Sequence, residues 1–188
     1  MSAADVAEPP RVTWQQWLEL EDVSEERHEL FAGRLVLDQG GTDRHDTVVT
    51  SLNSRLAPPF QEQRCRVYPH NRKVVTPSGD GYYPDLLIRC GPRTDERYEA
   101  APTWVVEVVS PTNSLPEMQA KLRAYLGMPS LAGYVVVEPT TRIVQAYVRH
   151  DGEWRVLDVT DRTLPMGPVL VDFADVFAEV DELEAFGN

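Results

Sequence analysis

Apolar and polar residues alternate along this chain in a pattern that predicts short strands interrupted by four helices. Residues 13–16 have the spacing of a capping box, which predicts a short helix at the start of the fold. Residues 28–38 alternate around an Ala-Gly pair, as a β-hairpin does. Residues 43–62 carry apolar side chains at helical spacing, and we expect Pro58 and Pro59 to end that helix.

The second half of the chain predicts a strand–helix–strand unit. Residues 103–110 and 133–138 are apolar enough to be central strands, and a helix is predicted between them. Such a crossover is normally right-handed with parallel strands. The apolar stripe of this helix should face the sheet and consists of Leu115, Met118, Leu122 and Leu126. The other predicted elements are strands at 65–69, 73–76 and 83–89, a hairpin over 142–158 and a helix over 174–183. The fold class is therefore α/β, with a mixed central β-sheet flanked by helices on both faces.

The chain has 188 residues and is 42% hydrophobic, enough for one domain with a full core. We predict a disordered tail at residues 1–12 and a single domain over 13–188. No apolar run approaches the roughly 18 residues of a transmembrane helix, and the N-terminus lacks the pattern of a signal peptide. Cys65 and Cys90 predict no disulfide framework. We therefore expect a cytoplasmic protein without a membrane partner.

The charge of the chain is unevenly distributed. The formal net charge of −12 argues at first against a nucleic-acid partner. However, residues 1–40 carry nine acidic and three basic side chains, and residues 151–188 carry ten and two. Residues 41–150 carry 13 basic and 11 acidic side chains. The central part of the chain is thus mildly basic, and its arginines are either a solvated surface or a phosphate-facing patch.

Two carboxylates interrupt the apolar pattern. Glu107 lies inside a strand predicted to be buried on both faces, where an unpaired charge is strongly unfavourable. It must be protonated, joined to a cation in a structural ion pair, or bound to a metal. Asp85 is either a solvated acid at a strand edge or, if the two strands pair, a second carboxylate at the same point. Two carboxylates suit Mg²⁺, which keeps several waters and accepts a substrate phosphate.

Lys121 is one of only two lysines among 18 basic residues. It lies at the border of the apolar stripe of its predicted helix. Its ammonium group could extend into solvent, pair with Glu117 one turn earlier, or reach the end of the strand that carries Glu107. In the last case Asp85, Glu107 and Lys121 form the set that metal-dependent phosphodiester hydrolysis requires.

The chain resembles the Uma-type family of “putative restriction endonucleases”, which belongs to the PD-(D/E)XK nuclease superfamily. The matching segments are 83–88 (YPDLLI), 106–112 (VEVVSPT), 121–125 (KLRAY) and 134–139 (YVVVEP), together with the hairpin at 28–36 (HELFAGRLV). The resemblance covers roughly residues 13–173 and implies a restriction-endonuclease-like fold with an N-terminal hairpin.

The resemblance also implies a site. Asp85 and Glu107 would bind Mg²⁺ or Mn²⁺ with the backbone carbonyl of Val108 as a further ligand, and Lys121 would complete the catalytic set. The usual superfamily lysine two residues after the acid is replaced here by Val109, and Lys121 matches the position that this family uses instead. The accessory residues that the resemblance adds are Glu29, His45, Glu117 and Tyr125. Without the resemblance, the position of His45 on an apolar helix face favours a core histidine.

Three functions are consistent with these residues. The first is a Mg²⁺-dependent endonuclease acting on DNA, with weak, metal-dependent and salt-sensitive binding to nucleic acid. The second is a non-catalytic interaction protein on a nuclease-like scaffold, expected as a homodimer like the first. The third is a metal-dependent hydrolase of a smaller phosphoester. Convergence of Asp85, Glu107 and Lys121 on one point would favour the first, whereas divergence would favour the second.

Overall fold

A computed structural model describes residues 11–159 and 162–186. The helices are α1 (Trp14–Glu21), α2 (Asp43–Glu62), α3 (Leu115–Leu126) and α4 (Phe173–Phe186). The strands are β1 (His28–Phe31), β2 (Arg34–Leu37), β3 (Arg66–Pro69), β4 (Lys73–Val75), β5 (Gly81–Tyr82), β6 (Leu86–Arg89), β7 (Tyr98–Glu99), β8 (Trp104–Val108), β9 (Gly133–Glu138), β10 (Ile143–His150), β11 (Glu153–Asp158), β12 (Thr163–Met166) and β13 (Val169–Asp172).

A six-stranded mixed sheet forms the centre, in the order β11-β10-β9-β8-β6-β3. Strands β8 and β9 are parallel, as the predicted crossover requires, and the other neighbours are antiparallel. A second sheet, β2-β1-β5-β4-β7, contains the N-terminal hairpin, and β12 and β13 form a separate ribbon. The predicted α/β class with a mixed sheet is confirmed, although the hairpin belongs to the second sheet.

Helices cover both faces of the central sheet. Leu86 and Ile88 point into a core that also contains buried residues of α2 and α4. Leu87 points the other way, into a core that includes Tyr125 of α3. The side-chain alternation along β6 thus agrees with the sequence pattern, because successive residues of a strand face opposite sides. Asp85 directly precedes β6 and shares the face of Leu87.

The predicted N-terminal tail is only partly within the described residues. Residues 1–10 lie outside them. Val12 is described, and its backbone N–H donates to the carbonyl of Gly33 over 2.8 Å. Val12, which the prediction includes in the tail, thus pairs with the turn of the hairpin. The capping box at Thr13 is confirmed, because its hydroxyl and the side chain of Gln16 exchange backbone hydrogen bonds.

The prediction that Pro58 and Pro59 end helix α2 is wrong, because the helix continues to Glu62. A proline inside a helix loses a hydrogen bond and disturbs the preceding turn. Here Leu56, two residues before the prolines, and Phe60, directly after them, are both buried in the core. Tertiary packing of this apolar face therefore outweighs the local preference of proline.

The predicted buried stripe of α3 is also displaced. Leu115 is 66% exposed, whereas Ala124 and Tyr125 are the buried residues of the helix. Leu122 and Leu126 pack against the core as predicted, but the helix is rotated so that Lys121 and Tyr125 also face the sheet. The reason is that a lysine, which the apolar pattern excludes from the buried face, has carboxylate partners there.

Cys65 and Cys90 form a disulfide, so the prediction of unlinked cysteines is wrong. The two residues flank the paired strands β3 and β6, in which Arg66 faces Arg89. Cys65 and Cys90 are the next facing pair in this register. Their sequence spacing carries no sign of that pairing. Among the helices in the described part of the chain, none has the length and apolar character needed to cross a membrane.

Candidate metal and phosphodiester site

Asp85, directly before β6, lies opposite Glu107 on the neighbouring strand β8. Leu86 pairs with Val106 in the antiparallel register of β6 and β8, which places Asp85 opposite Glu107. Asp85 Oδ2 accepts a hydrogen bond of 2.7 Å from the backbone N–H of Val108. The strand pairing required to bring the two carboxylates together is therefore present.

Lys121 reaches the same point from helix α3. Its ammonium nitrogen lies 3.1 Å from Glu107 Oε2 and 2.8 Å from Glu29 Oε1. The hydroxyl of Tyr125, one turn later, donates to Glu107 Oε1 over 3.1 Å. Only 12% of the Lys121 side chain is exposed. The alternative in which Lys121 extends into solvent is therefore wrong.

Glu29 enters the site from the N-terminal hairpin. Besides contacting Lys121, its Oε1 accepts a hydrogen bond of 3.0 Å from the backbone N–H of Tyr83. The hairpin thus contributes a buried carboxylate, and Lys121 joins the second sheet to the central one. The predicted approach of Glu29 to the site is present in the geometry.

Glu117 acts as a capping residue of helix α3. Its carboxylate accepts a hydrogen bond of 3.0 Å from the backbone N–H of Ser114, which begins helix α3. The Ser114 hydroxyl in turn accepts from the backbone of Glu117, completing a capping box. Glu117 therefore caps the helix, whereas Lys121 pairs with Glu29 and Glu107.

Two histidines contact Asp85. His45 Nε2 lies 3.1 Å from Asp85 Oδ1, while its Nδ1 lies 3.0 Å from Asp46 Oδ1. His70 Nδ1 lies 3.6 Å from the same Asp85 oxygen. His45 is buried, as the interpretation as a core histidine predicts, and its ring contacts two carboxylates. His70 was not predicted, and the signal that identifies it is the β3–β6 register, where its backbone N–H donates to the Asp85 carbonyl.

The pKa values of Asp85 and Glu107 are shifted in opposite directions from their ordinary values. Burial raises the pKa of Glu107 to about 8, and the nearby charges of Asp85 and Glu29 add to this effect against the opposing Lys121. Burial would also raise the pKa of Asp85, but hydrogen bonds from His45 and His70 hold it well below its usual value. Asp85 therefore stays ionised, whereas burial favours the protonated form of Glu107 against its pairing with Lys121.

The histidine and the lysine are held as cations. Burial would lower the pKa of His45, but the carboxylates of Asp85 and Asp46 raise it to about 9. Because both ring nitrogens face carboxylate oxygens, the doubly protonated ring satisfies both contacts. Burial also opposes the charge of Lys121, yet Glu107 and Glu29 raise its pKa well above the usual value. The site is thus a compact network of buried charges.

The residues expected to hold a magnesium or manganese ion lie around one cavity. Asp85, Glu107, Val108 and Lys121 line one polar cavity of about 80 Å³, which has room for water molecules. Within the described residues, no group of three or more His, Cys, Asp or Glu side chains is arranged to hold a metal. Two carboxylates and a carbonyl match the few protein ligands that Mg²⁺ takes. A divalent cation would also offset the repulsion between Asp85 and Glu107.

Comparison with known proteins identifies the family. Residues 14–178 match the model of the Uma2 family, described as “Putative restriction endonuclease”. The chain belongs to the Uma2 family. An uncharacterized protein of Synechocystis sp., slr1290, is 26% identical over 153 residues, which cover 79% of this chain and 80% of that protein.

A solved structure shares the fold of this Uma2 protein. It is a crystal structure from Anabaena variabilis, described as a putative nuclease belonging to DUF820. The TM-score is 0.68 at 19% sequence identity, and the match covers 90% of this chain and 99% of the other. This neighbour therefore shows the fold, and the family match confirms the resemblance seen in the sequence.

Proposed function

We propose that this Uma2 protein is a Mg²⁺- or Mn²⁺-dependent endonuclease that hydrolyses phosphodiester bonds of DNA. The observation that supports this function is the convergence of Asp85, Glu107 and Lys121 on one polar cavity. These residues come from two strands and a helix, and a structural role does not require them to share one cavity. Convergence is the arrangement expected of a hydrolytic site.

Each residue has a defined role in this proposal. Asp85, Glu107 and the Val108 carbonyl would hold the metal, which when bound supplies charge neutralisation and a more acidic water. Lys121 donates hydrogen bonds to the attacking water or to a phosphate oxygen, where negative charge develops.

The surrounding residues act through these groups. Glu29 keeps Lys121 protonated and fixes its ammonium nitrogen at 2.8 Å. Tyr125 holds one oxygen of Glu107, and His45 orients Asp85 by its contact with Oδ1. These positioning residues restrict the reactive groups to one geometry, which reduces the entropy cost of reaching the transition state.

A second function is a non-catalytic homodimeric interaction protein on the same scaffold. The observation that favours it is the ion pair of Lys121 with Glu29 and Glu107, which compensates buried charge without a metal. The net charge of −12 also limits affinity for nucleic acid. For the nuclease we accordingly expect weak binding to DNA that depends on the metal and falls with salt.

Metal titration by calorimetry, combined with cleavage assays, tests the proposal. Wild type, Asp85→Asn and Glu107→Gln are titrated with Mg²⁺ and Mn²⁺, and Glu138→Gln on strand β9 is the matched control. The nuclease predicts binding that both site variants lose and the control retains, together with metal-dependent cleavage that follows the same pattern. Metal binding without cleavage of DNA or RNA would exclude the nuclease. Cleavage of only a small phosphoester would instead indicate the third function.

A further inference from the structure

A second and larger cavity, of about 330 Å³, adjoins the site and shares Glu107 and Lys121 with it. It lies between the central sheet, helix α3 and the hairpin β1–β2. Helix α3 contributes Leu115, Met118 and Leu122 to the lining of this cavity. Its volume is at the lower end of the range for small-molecule sites.

The floor of the cavity continues the row of residues that contains the proposed catalytic acid. Glu107 on β8 pairs with Val136 on β9, and Val136 pairs with Gln145 on β10. Gln145 is therefore two strand spacings, about 9–10 Å, from the position of Glu107. A nucleotide with its phosphate beside Glu107 could place the hydrogen-bonding edge of its base near Gln145.

Aromatic and apolar side chains form the other surfaces. Tyr147 faces Tyr134 across β9 and β10, with ring centroids 6.0 Å apart. The walls around this floor are formed by Phe31 and Leu37 of the hairpin and by Leu115 of α3. Leu37 is 44% exposed and Leu115 is 66% exposed. Large apolar side chains exposed around a cavity are typical of a binding surface rather than of a close-packed core.

The chemistry of the lining restricts the ligand. Glu107 and Asp38 line the cavity and disfavour a second phosphate there, whereas Tyr147 and Leu115 suit a flat neutral ring. The amide of Gln145 supplies both a donor and an acceptor, and it already accepts a hydrogen bond of 2.9 Å from the Tyr147 hydroxyl. A heterocyclic base with apolar faces and a polar edge combines these requirements.

We propose that the cavity receives an unpaired nucleobase next to the scissile phosphate, so that the substrate class is single-stranded or locally unpaired nucleic acid. This inference rests on the proposed nuclease function. A base inside a duplex is stacked and paired, and must leave the helix to enter this cavity. DNA and RNA offer the same bases, and the proposal holds for either.

Anisotropy measurements on oligonucleotides test this proposal, with Ca²⁺ in place of Mg²⁺ so that binding is read separately from cleavage. The probes are a fully paired duplex, the same duplex with one unpaired nucleotide, and that duplex with an abasic unpaired position, each made as DNA and as RNA. We expect the unpaired base to strengthen binding by about 5- to 150-fold over the abasic probe.

Variants locate the effect in the cavity. Tyr147→Ala and Leu115→Ala should remove most of the preference for the unpaired base, whereas Tyr147→Phe, which keeps the ring, should retain it. Leu170→Ala is the matched control, because Leu170 is 64% exposed and does not line the cavity. Leu115 is exposed, so its replacement tests the proposal even if Tyr147→Ala fails to fold.

Two negative outcomes are distinguishable. Equal affinity for the unpaired and abasic probes, with metal-dependent cleavage intact, would overturn the proposal that the cavity binds a base but not the proposed nuclease function. Absence of both binding and cleavage for every probe would overturn the nuclease and this inference with it.

Discussion

The ammonium nitrogen of Lys121 lies 2.8 Å from Glu29 Oε1, and this contact ties helix α3 to the N-terminal hairpin. Removing one partner of a buried ion pair leaves uncompensated charge, which typically costs about 3–5 kcal/mol. We therefore expect Lys121→Met to lower the free energy of unfolding by about that amount in urea titrations. Arg123→Met, an exposed cation two residues later, is the control and should change stability little. A similar small effect for both variants would contradict a buried network.

The pKa of Glu107 predicts the direction of a pH effect in the metal-free protein. Because its pKa is raised from 4.5 to about 8 on folding, the folded state retains a proton that the unfolded state has lost. The free energy of unfolding should therefore fall as pH rises from 4.5 through 8. Urea titrations in EDTA should show that slope, and Glu107→Gln should flatten it.

Glu138→Gln is the control for this pH effect. Hydrogen bonds from Thr140 and Thr141 lower the pKa of Glu138 despite the opposing effect of burial. Its contribution to stability is therefore present above pH 4.5 and lost as pH falls below that value. The variant should leave the slope between pH 4.5 and 8 unchanged. An unchanged slope in Glu107→Gln would instead show that another group titrates there.

The protonation of His45 should depend more on Asp85 than on Asp46. Asp85 contributes the largest favourable effect on the His45 pKa of about 9, and Asp46 the next. In EDTA, Asp85→Asn should lower that pKa by more than Asp46→Asn does, because burial then dominates. NMR titration of the imidazole protons measures both shifts. The reverse order would indicate that Asp46 is the principal partner.

The Cys65–Cys90 disulfide should stabilise the fold. It closes a loop with a sequence separation of 25 residues, and the chain-entropy model predicts about 3.5 kcal/mol for a loop of this length. Reduction should lower the free energy of unfolding by that order. The Cys65→Ser/Cys90→Ser variant should show the same loss, with no further change when reductant is added. Equal stability of oxidised and reduced protein would contradict the prediction.

Replacement of Glu117 should leave metal binding intact. Its carboxylate caps α3 through the Ser114 N–H, and glutamine serves equally well at this position of a capping box. Glu117→Gln should therefore retain wild-type metal affinity in calorimetry, whereas Ser114→Ala should destabilise the fold by about 0.5–2 kcal/mol. Loss of metal affinity in Glu117→Gln would restore the accessory role that the family resemblance implies.

The elements that carry the site were predictable because their signals are local. The hairpin at 28–38 and the crossover around α3 follow from alternation and helical period. Glu107 was predictable as a site residue because it is a charged residue inside an apolar strand, where burial of an unpaired charge is strongly unfavourable. Once the hairpin, the crossover and the buried Glu107 are predicted, grouping Glu107 with Asp85 and Lys121 requires only that strands β6 and β8 be neighbours.

The remaining features depend on long-range pairing. His70 joins the site only because β3 pairs with β6 in one particular register, and the same register joins Cys65 to Cys90. Nothing in the local pattern around either position specifies that partner. The rotation of α3 has a similar cause, because the buried position of Lys121 depends on Glu29 in a different sheet.

The shared contact of hairpin and helix limits how this protein can be recombined with its relatives. Residues 28–37 supply Glu29 and one wall of the larger cavity, and helix α3 supplies Lys121 and the facing wall. A chimera that exchanges either segment alone would replace one side of the Lys121–Glu29 contact and one wall of the cavity while keeping the other. The two segments therefore form one structural module, although more than seventy residues separate them in the chain.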